Sequence, residues 1–143
     1  MGDSGFSYGI GLRQPYAGED TYFKSNPHVA GMAAEDNKIV LNPYSTLSEA
    51  EKRSVVMNEA ARIYMRTGRV EPPKFKLSPE QEKAFGSYSK NPQDRLDTVA
   101  ARILSGDPSA LQPTTEQTQY ADQLRTLMQG NTGGGFSVLM FNK

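Results

Sequence analysis

The sequence predicts a mainly α-helical fold: a small three- to four-helix domain with one β-hairpin and extended N- and C-terminal arms. Four segments begin with a helix N-cap and continue at helical spacing. Two short apolar runs flank a polar turn, as in a hairpin. Both ends are rich in glycine. We therefore expect an N-terminal arm over residues 1–27, a helical domain with the hairpin over residues 28–129, and a Gly-rich hinge with an apolar C-terminal arm over residues 130–143.

The central helix is the longest of the predicted elements. Ser48 and Glu51 have the spacing of a capping box at its start. Gly68 offers the left-handed conformation that ends many helices. Apolar or small side chains recur on one face at Val56, Ala60, Ile63, Tyr64 and Thr67. This face is expected to pack against the core.

The hairpin and three further helices complete the predicted domain. Residues 28–33 and 38–41 are the two predicted strands of the hairpin. Ser78-Pro79-Glu80-Gln81 and Thr114-Thr115-Glu116-Gln117 are two similar capping boxes, and Asn91-Pro92 opens the helix between them. We interpret the two similar openings as shared capping chemistry, because the residues that follow them differ. The expected apolar faces of the last two helices are Leu96, Val99, Ala100, Ile103 and Leu104, and then Gln117, Tyr120, Ala121, Leu124, Leu127 and Met128.

The two arms are the predicted partner-binding segments. The N-terminal arm alternates apolar residues with Gly or polar ones, which is the period of a strand. The C-terminal arm places six residues of high strand propensity after a glycine run that supplies reach. Either arm could instead be mobile or fold back on its own domain. The predicted partner-binding residues are Phe6, Tyr8, Ile10, Leu12, Phe136, Val138, Leu139, Met140 and Phe141.

Composition excludes several function classes. The 16 Lys and Arg residues balance the 16 Asp and Glu residues, so no net charge favours binding to nucleic acid. The absence of Cys excludes disulfides and cysteine-based catalytic or metal sites. We see no signal peptide and no apolar run long enough to span a membrane. No phosphate-binding loop, dinucleotide fingerprint or nucleophile elbow occurs. We therefore predict no catalytic residues, no metal and no cofactor.

Residues 58–62 form the one motif with possible chemistry. They read Asn-Glu-Ala-Ala-Arg on the central helix, after an apolar strand and an Asn-Pro turn. The arrangement resembles the zincin metalloproteases, in which His residues on both sides of the motif bind zinc. Here those positions are Asn58 and Arg62, and a guanidinium has no lone pair to donate to a metal. The resemblance implies an inactive relative or a coincidence, and we expect Glu59 and Arg62 to form an exposed ion pair.

The chain is also similar in style to small virion proteins of tailed bacteriophages. It combines a helical body, no Cys, and Gly-rich or apolar arms, and residues 29–44 and 58–62 have the same character. The resemblance implies a non-enzymatic structural part of a virion (decoration, head–tail connection or tail), made in the host cytoplasm and bound to other virion proteins through its arms. The alternatives are a small regulatory protein that binds a host or phage enzyme, and a zincin-like relative, either inactive or with activity retained through Glu59.

Overall fold

A computed structural model of the chain describes residues 8–87 and 89–130. Within these ranges the fold is mainly α-helical with one two-stranded antiparallel hairpin, which confirms the predicted fold class. The elements in chain order are α1 (Ala17–Ser25), β1 (Gly31–Ala33), β2 (Ile39–Leu41), α2 (Glu49–Arg66), α3 (Pro79–Phe85), α4 (Pro92–Leu104), a 3₁₀ turn (Pro108–Ala110) and α5 (Thr115–Gly130). The expected C-terminal arm lies beyond the described residues, apart from Gly130.

Helix α2 is the centre of the packing, as its apolar face predicts. It packs against both α4 and the hairpin, and α4 in turn packs against α5. The Ser48 N–H donates to Glu51 at 2.8 Å, and the Glu51 N–H donates to the Ser48 hydroxyl at 3.1 Å, so the predicted capping box is present. Gly68 follows the helix with a φ of 78°. The largest fully buried apolar side chains are Tyr64, Phe23, Ile39, Ile63, Leu124 and Met128.

The two other capping boxes meet in the core. Gln81 at the start of α3 and Gln117 at the start of α5 are both 0% exposed. Each side-chain amide donates to the other's carbonyl oxygen, at 2.9 and 2.8 Å. The similar openings of these helices are therefore paired in space, beyond the shared capping chemistry that the sequence indicates. On α5, Leu127 departs from the predicted apolar face, because its side chain is 46% exposed.

The extended arm predicted over residues 1–27 must be corrected for residues 8–27. Residues 17–25 form α1, which buries Phe23. Tyr8 and Ile10 lie in the core at 7% and 3% exposed, and the Tyr8 carbonyl accepts a 2.8 Å hydrogen bond from the Tyr64 hydroxyl. Leu12 forms a parallel bridge with Ile39, at the edge of β2 that β1 leaves open. This segment thus pairs with a sheet edge as its periodicity predicts, but the sheet belongs to its own chain.

Candidate functional site

A cleft of about 1010 Å³ opens between α2, the hairpin and the C-terminal end of α4. Its floor is one face of α2, where Val55, Glu59, Arg62 and Arg66 follow each other at helical spacing. Strand β1 pairs with β2, and all three of its residues line the cleft. We call this feature the Glu59 cleft, because Glu59 lies on its floor between the two walls.

Glu59 is far less accessible than the sequence suggests. Its side chain is 17% exposed and that of Arg62 is 24% exposed, and the Arg62 Nε lies 4.0 Å from the Glu59 Oε1. The predicted exposed ion pair is therefore a long and partly buried one. The reason is that β1 and α4 cover this face of α2, and neither is a sequence neighbour of Glu59.

Burial raises the pKa of Glu59 to about 7. Loss of water around the carboxylate is the largest cause, because a low-dielectric environment disfavours the charged form. The guanidiniums of Arg62, Arg66 and Arg102 oppose it, as does a hydrogen bond from the Ala33 backbone N–H. Near neutral pH the Glu59 carboxyl group is therefore partly protonated.

The arginines around Glu59 are held in place by other contacts. Arg62 donates to the Thr98 hydroxyl at 2.7 Å and to the Asp94 carboxylate at 3.2 Å. Arg66 donates to the Asn37 side chain at 3.1 Å and to the Ala34 carbonyl at 2.7 Å. Arg102 donates to the Ser109 hydroxyl at 2.9 Å, with its guanidinium 5.2 Å from the centre of the Phe85 ring.

The zincin-like positions of α2 serve the packing of α4. The Asn58 amide donates to the Ser105 hydroxyl at 3.4 Å, and Arg62 makes the two contacts to α4 given above. His28 lines the same cleft from the segment before β1. Among the described residues, no group of three or more His, Cys, Asp or Glu side chains is placed to hold a metal ion.

The three predicted partner-binding residues that the structure describes do not form an exposed surface. Tyr8 and Ile10 are buried, and Leu12 packs partly buried against the core. They hold the N-terminal segment to its own domain, and for that reason they are unavailable to a partner. The other predicted residues lie outside the described part of the chain: Phe6, Phe136, Val138, Leu139, Met140 and Phe141.

A different set of aromatic side chains is exposed near the N-terminus. Tyr16, Tyr22 and Tyr44 are 61%, 47% and 41% exposed, and we use the name tyrosine surface for these three side chains on and beside α1. Tyr16 precedes α1, Tyr22 belongs to it, and the Tyr44 hydroxyl donates to the Asp20 carboxylate of α1 at 3.0 Å. The sequence predicts an extended arm over residues 1–27, so helix α1 and the exposed tyrosines beside it were not expected. The acidic pair Glu19-Asp20 followed by Lys24 is a charge pattern that favours a helix here.

Arg13 fixes one end of the tyrosine surface. Its guanidinium lies 3.7 Å from the centre of the Tyr16 ring and pairs with Glu19 at 2.7 Å and Asp36 at 2.8 Å. Hydrogen bonds from Arg13 lower the pKa of both carboxyl groups below its ordinary value. The network ties α1 to the hairpin turn, beside a second depression of about 500 Å³.

Comparisons of this chain with protein-family models, with curated proteins and with solved structures found no match. They assign no role to the Glu59 cleft or to the tyrosine surface. Within residues 8–87 and 89–130, no helix is long and apolar enough to cross a membrane.

Proposed function

We propose that the protein is a non-enzymatic structural component of a bacteriophage virion that is held in place by contacts with neighbouring virion proteins. The observation that carries the binding role is the tyrosine surface, with three large aromatic side chains 41–61% exposed around one short helix. The phage setting rests on the sequence resemblance described above. In this proposal the protein is made in the host cytoplasm and then incorporated into the particle.

The tyrosine surface has the chemistry of a protein interface. Tyrosine is enriched in such interfaces because it combines a large apolar ring with a hydroxyl group and loses little conformational freedom on binding. The Tyr16 ring is already stacked on Arg13, and the Tyr44 hydroxyl is already bound to Asp20. Side chains that are fixed before binding reduce the entropy that association costs. These contacts support a preformed docking surface.

The use of the zincin-like positions supports a non-enzymatic role. Asn58 and Arg62 bind Ser105, Thr98 and Asp94 of α4 and its C-terminal end. These contacts hold two core helices together, which is a structural use of the positions that bind zinc in a zincin.

The C-terminal arm is a second proposed contact. Helix α5 ends at Gly130 and its last turn is anchored by Met128, which is 1% exposed. The residues beyond it therefore leave from a fixed point of the domain, and Phe136, Val138, Leu139, Met140 and Phe141 supply apolar side chains for a partner.

Incorporation of surface variants into virions tests the proposal. The triple variant Tyr16→Ser, Tyr22→Ser, Tyr44→Ser is expected to fold, because these side chains are exposed, and to be depleted from gradient-purified particles as measured by quantitative mass spectrometry. The control is Leu127→Ser, which removes another exposed apolar side chain, on α5. Equal amounts of the triple variant and the wild type in the particles would contradict the proposed surface. Absence of the wild-type chain from purified particles would contradict the virion role.

A further inference from the structure

We propose that the Glu59 cleft binds a ligand through a phosphate-like tetrahedral oxyanion, with the guanidiniums of Arg62, Arg66 and Arg102 around the anion and Glu59 at the floor beside it. This goes beyond the proposed virion role and does not depend on the tyrosine surface. The proposal rests on one arrangement of side chains. The partly buried Glu59 carboxyl group interacts electrostatically with three arginines in a cleft of about 1010 Å³.

The charge around Glu59 favours an anion. The other two acidic residues of the cleft are engaged in helix caps: Glu51 accepts from the Ser48 N–H at 2.8 Å, and Asp107 accepts from the Ser109 N–H at 2.9 Å. All three arginines act electrostatically on Glu59. Asp94 offsets part of the charge of Arg62. The centre of the cleft is therefore positively charged, most strongly when Glu59 is protonated.

The donors suit an oxyanion that accepts hydrogen bonds from several directions. Arg62 and Arg66 rise from α2, whereas Arg102 comes from α4. Arg66 uses Nε and Nη2 in its contacts, and within the described residues its Nη1 has no hydrogen-bond partner. A guanidinium presents five N–H groups in a fixed fork, which matches phosphate oxygens. Ser54 also lines the cleft.

The size of the cleft indicates a ligand larger than a free ion. Pockets for small organic ligands measure roughly 300–1,000 Å³, and this cleft is at the upper end, at about 1010 Å³. Its walls combine polar side chains with small residues of the hairpin, such as Gly31 and Ala33. A phosphate ester with an organic group of moderate size is the ligand class that fits.

Binding of an anion in the cleft should be coupled to protonation of Glu59. An anion beside Glu59 repels its carboxylate and so favours the protonated form. Affinity should therefore be highest below about pH 7, where Glu59 is already protonated, and fall as the pH rises. The charged groups that face Glu59 are Arg62 and Arg66 from α2 and Arg102 from α4. His28, Glu51 and Asp107 line the remainder of the cleft.

Sulfate is the probe for the test, because its charge stays constant near neutral pH. Calorimetric titration of the full chain, with ionic strength held constant by chloride, is expected to give saturable binding that is several-fold tighter at about pH 6 than at about pH 8. At both pH values, the Glu59→Gln variant should bind sulfate with the affinity that the wild type shows at the lower pH. Glu49→Gln removes an exposed carboxylate of the same helix and should behave as wild type. His28→Gln removes the histidine that lines the same cleft and should keep the pH dependence.

Two arginine variants complete the test. Arg66→Gln and Arg102→Gln are each expected to weaken sulfate binding about tenfold, the effect of losing one charge-assisted contact. Arg53→Gln, an exposed residue of α2 outside the cleft, should leave the affinity unchanged. Far-ultraviolet circular dichroism checks that each variant is folded. The proposal is overturned if sulfate shows no saturable binding, if the arginine variants bind as wild type, or if Glu59→Gln retains the pH dependence.

Discussion

Gln81 and Gln117 are joined by two reciprocal amide hydrogen bonds in the interior of the domain, at 2.9 and 2.8 Å. Each glutamine also closes a capping box, by accepting from the N–H of Ser78 or Thr114. The remaining amide hydrogens donate to the carbonyls of Ala110 and Lys76. Every polar group of the pair is thus satisfied, and one interaction locks the starts of α3 and α5 together.

Replacement of one partner should be costly. Gln117→Ala leaves the buried Gln81 amide without its partner, and it also removes the partner of the partly buried Thr114 N–H and Lys76 carbonyl. Each unsatisfied buried group costs about 1–3 kcal/mol, so we expect the free energy of unfolding to fall by roughly 2–4 kcal/mol. Urea denaturation measures the change.

Gln119→Ala is the matched control for this prediction. It makes the same substitution two residues further along α5, at an exposed position. The expected change is within about 0.5 kcal/mol. Similar losses for the two variants would mean that the buried amide pair contributes nothing specific to stability.

Glu59 should make stability depend on pH. Its pKa in the folded protein, about 7, lies above that of an ordinary glutamic acid, 4.5, so the folded state binds the proton more tightly than the unfolded state. Stability is therefore lost as the pH rises from the lower value to the higher one. Glu59→Gln has no carboxyl group to ionise at this position, so the variant should not lose this stability as the pH rises. We expect the variant to exceed the wild type by roughly 2–3 kcal/mol at about pH 8, and by far less at about pH 5.

Unfolding by urea at the two pH values measures this difference. Glu49→Gln is the control, because Glu49 is 72% exposed on the same helix. It should change stability by less than about 0.5 kcal/mol at either pH. A gain for Glu59→Gln that is the same at both pH values would contradict the raised pKa.

Gly31 allows β1 to approach α2 at the wall of the cleft. A Cβ atom at this position would lie 2.9 Å from the Val40 carbonyl oxygen and 3.1 Å from the Val55 Cγ1. Since the first of these atoms belongs to backbone, the strand has to move to accommodate a side chain. Gly31→Ala is therefore expected to lower the free energy of unfolding by about 1–3 kcal/mol.

The control for this prediction is Gly18→Ala in α1. No heavy atom lies within 4 Å of a Cβ built there, so alanine meets no obstacle. Because alanine favours helix more than glycine does, the variant should be more stable by up to about 1 kcal/mol. Thermal unfolding of both variants checks the opposite signs, and a tolerated alanine at position 31 would mean that β1 is not packed as described.

The helices and the hairpin were predictable because their signals are local. The caps at Ser48, Ser78, Asn91 and the box closed by Gln117 are each satisfied within a few residues of chain. Helix α1 was not predicted. It is short and buries one residue, Phe23, so its sequence shows no apolar periodicity. Its N-cap position holds Tyr16, which is not a usual N-cap residue.

What the sequence did not predict depends on contacts between distant segments. The alternation at Tyr8, Ile10 and Leu12 indicates a strand-like segment, but it carries no information on whose sheet edge it meets. Likewise the motif at Glu59 identifies the residue, whereas its burial comes from β1 and α4, which lie far from it along the chain. The exposed position of Leu127 also follows from packing that periodicity alone does not specify.

The proposed virion role is tested most directly by hydrogen–deuterium exchange of the protein, free and within purified particles. The proposal predicts that residues 13–26 and the segment around Tyr44 exchange faster in the free protein than in the particle, because the tyrosine surface becomes covered. Residues 56–65 of α2, which are already in the core, should exchange slowly in both. Equal exchange of the tyrosine surface in the two samples would contradict its role as the surface that binds neighbouring virion proteins.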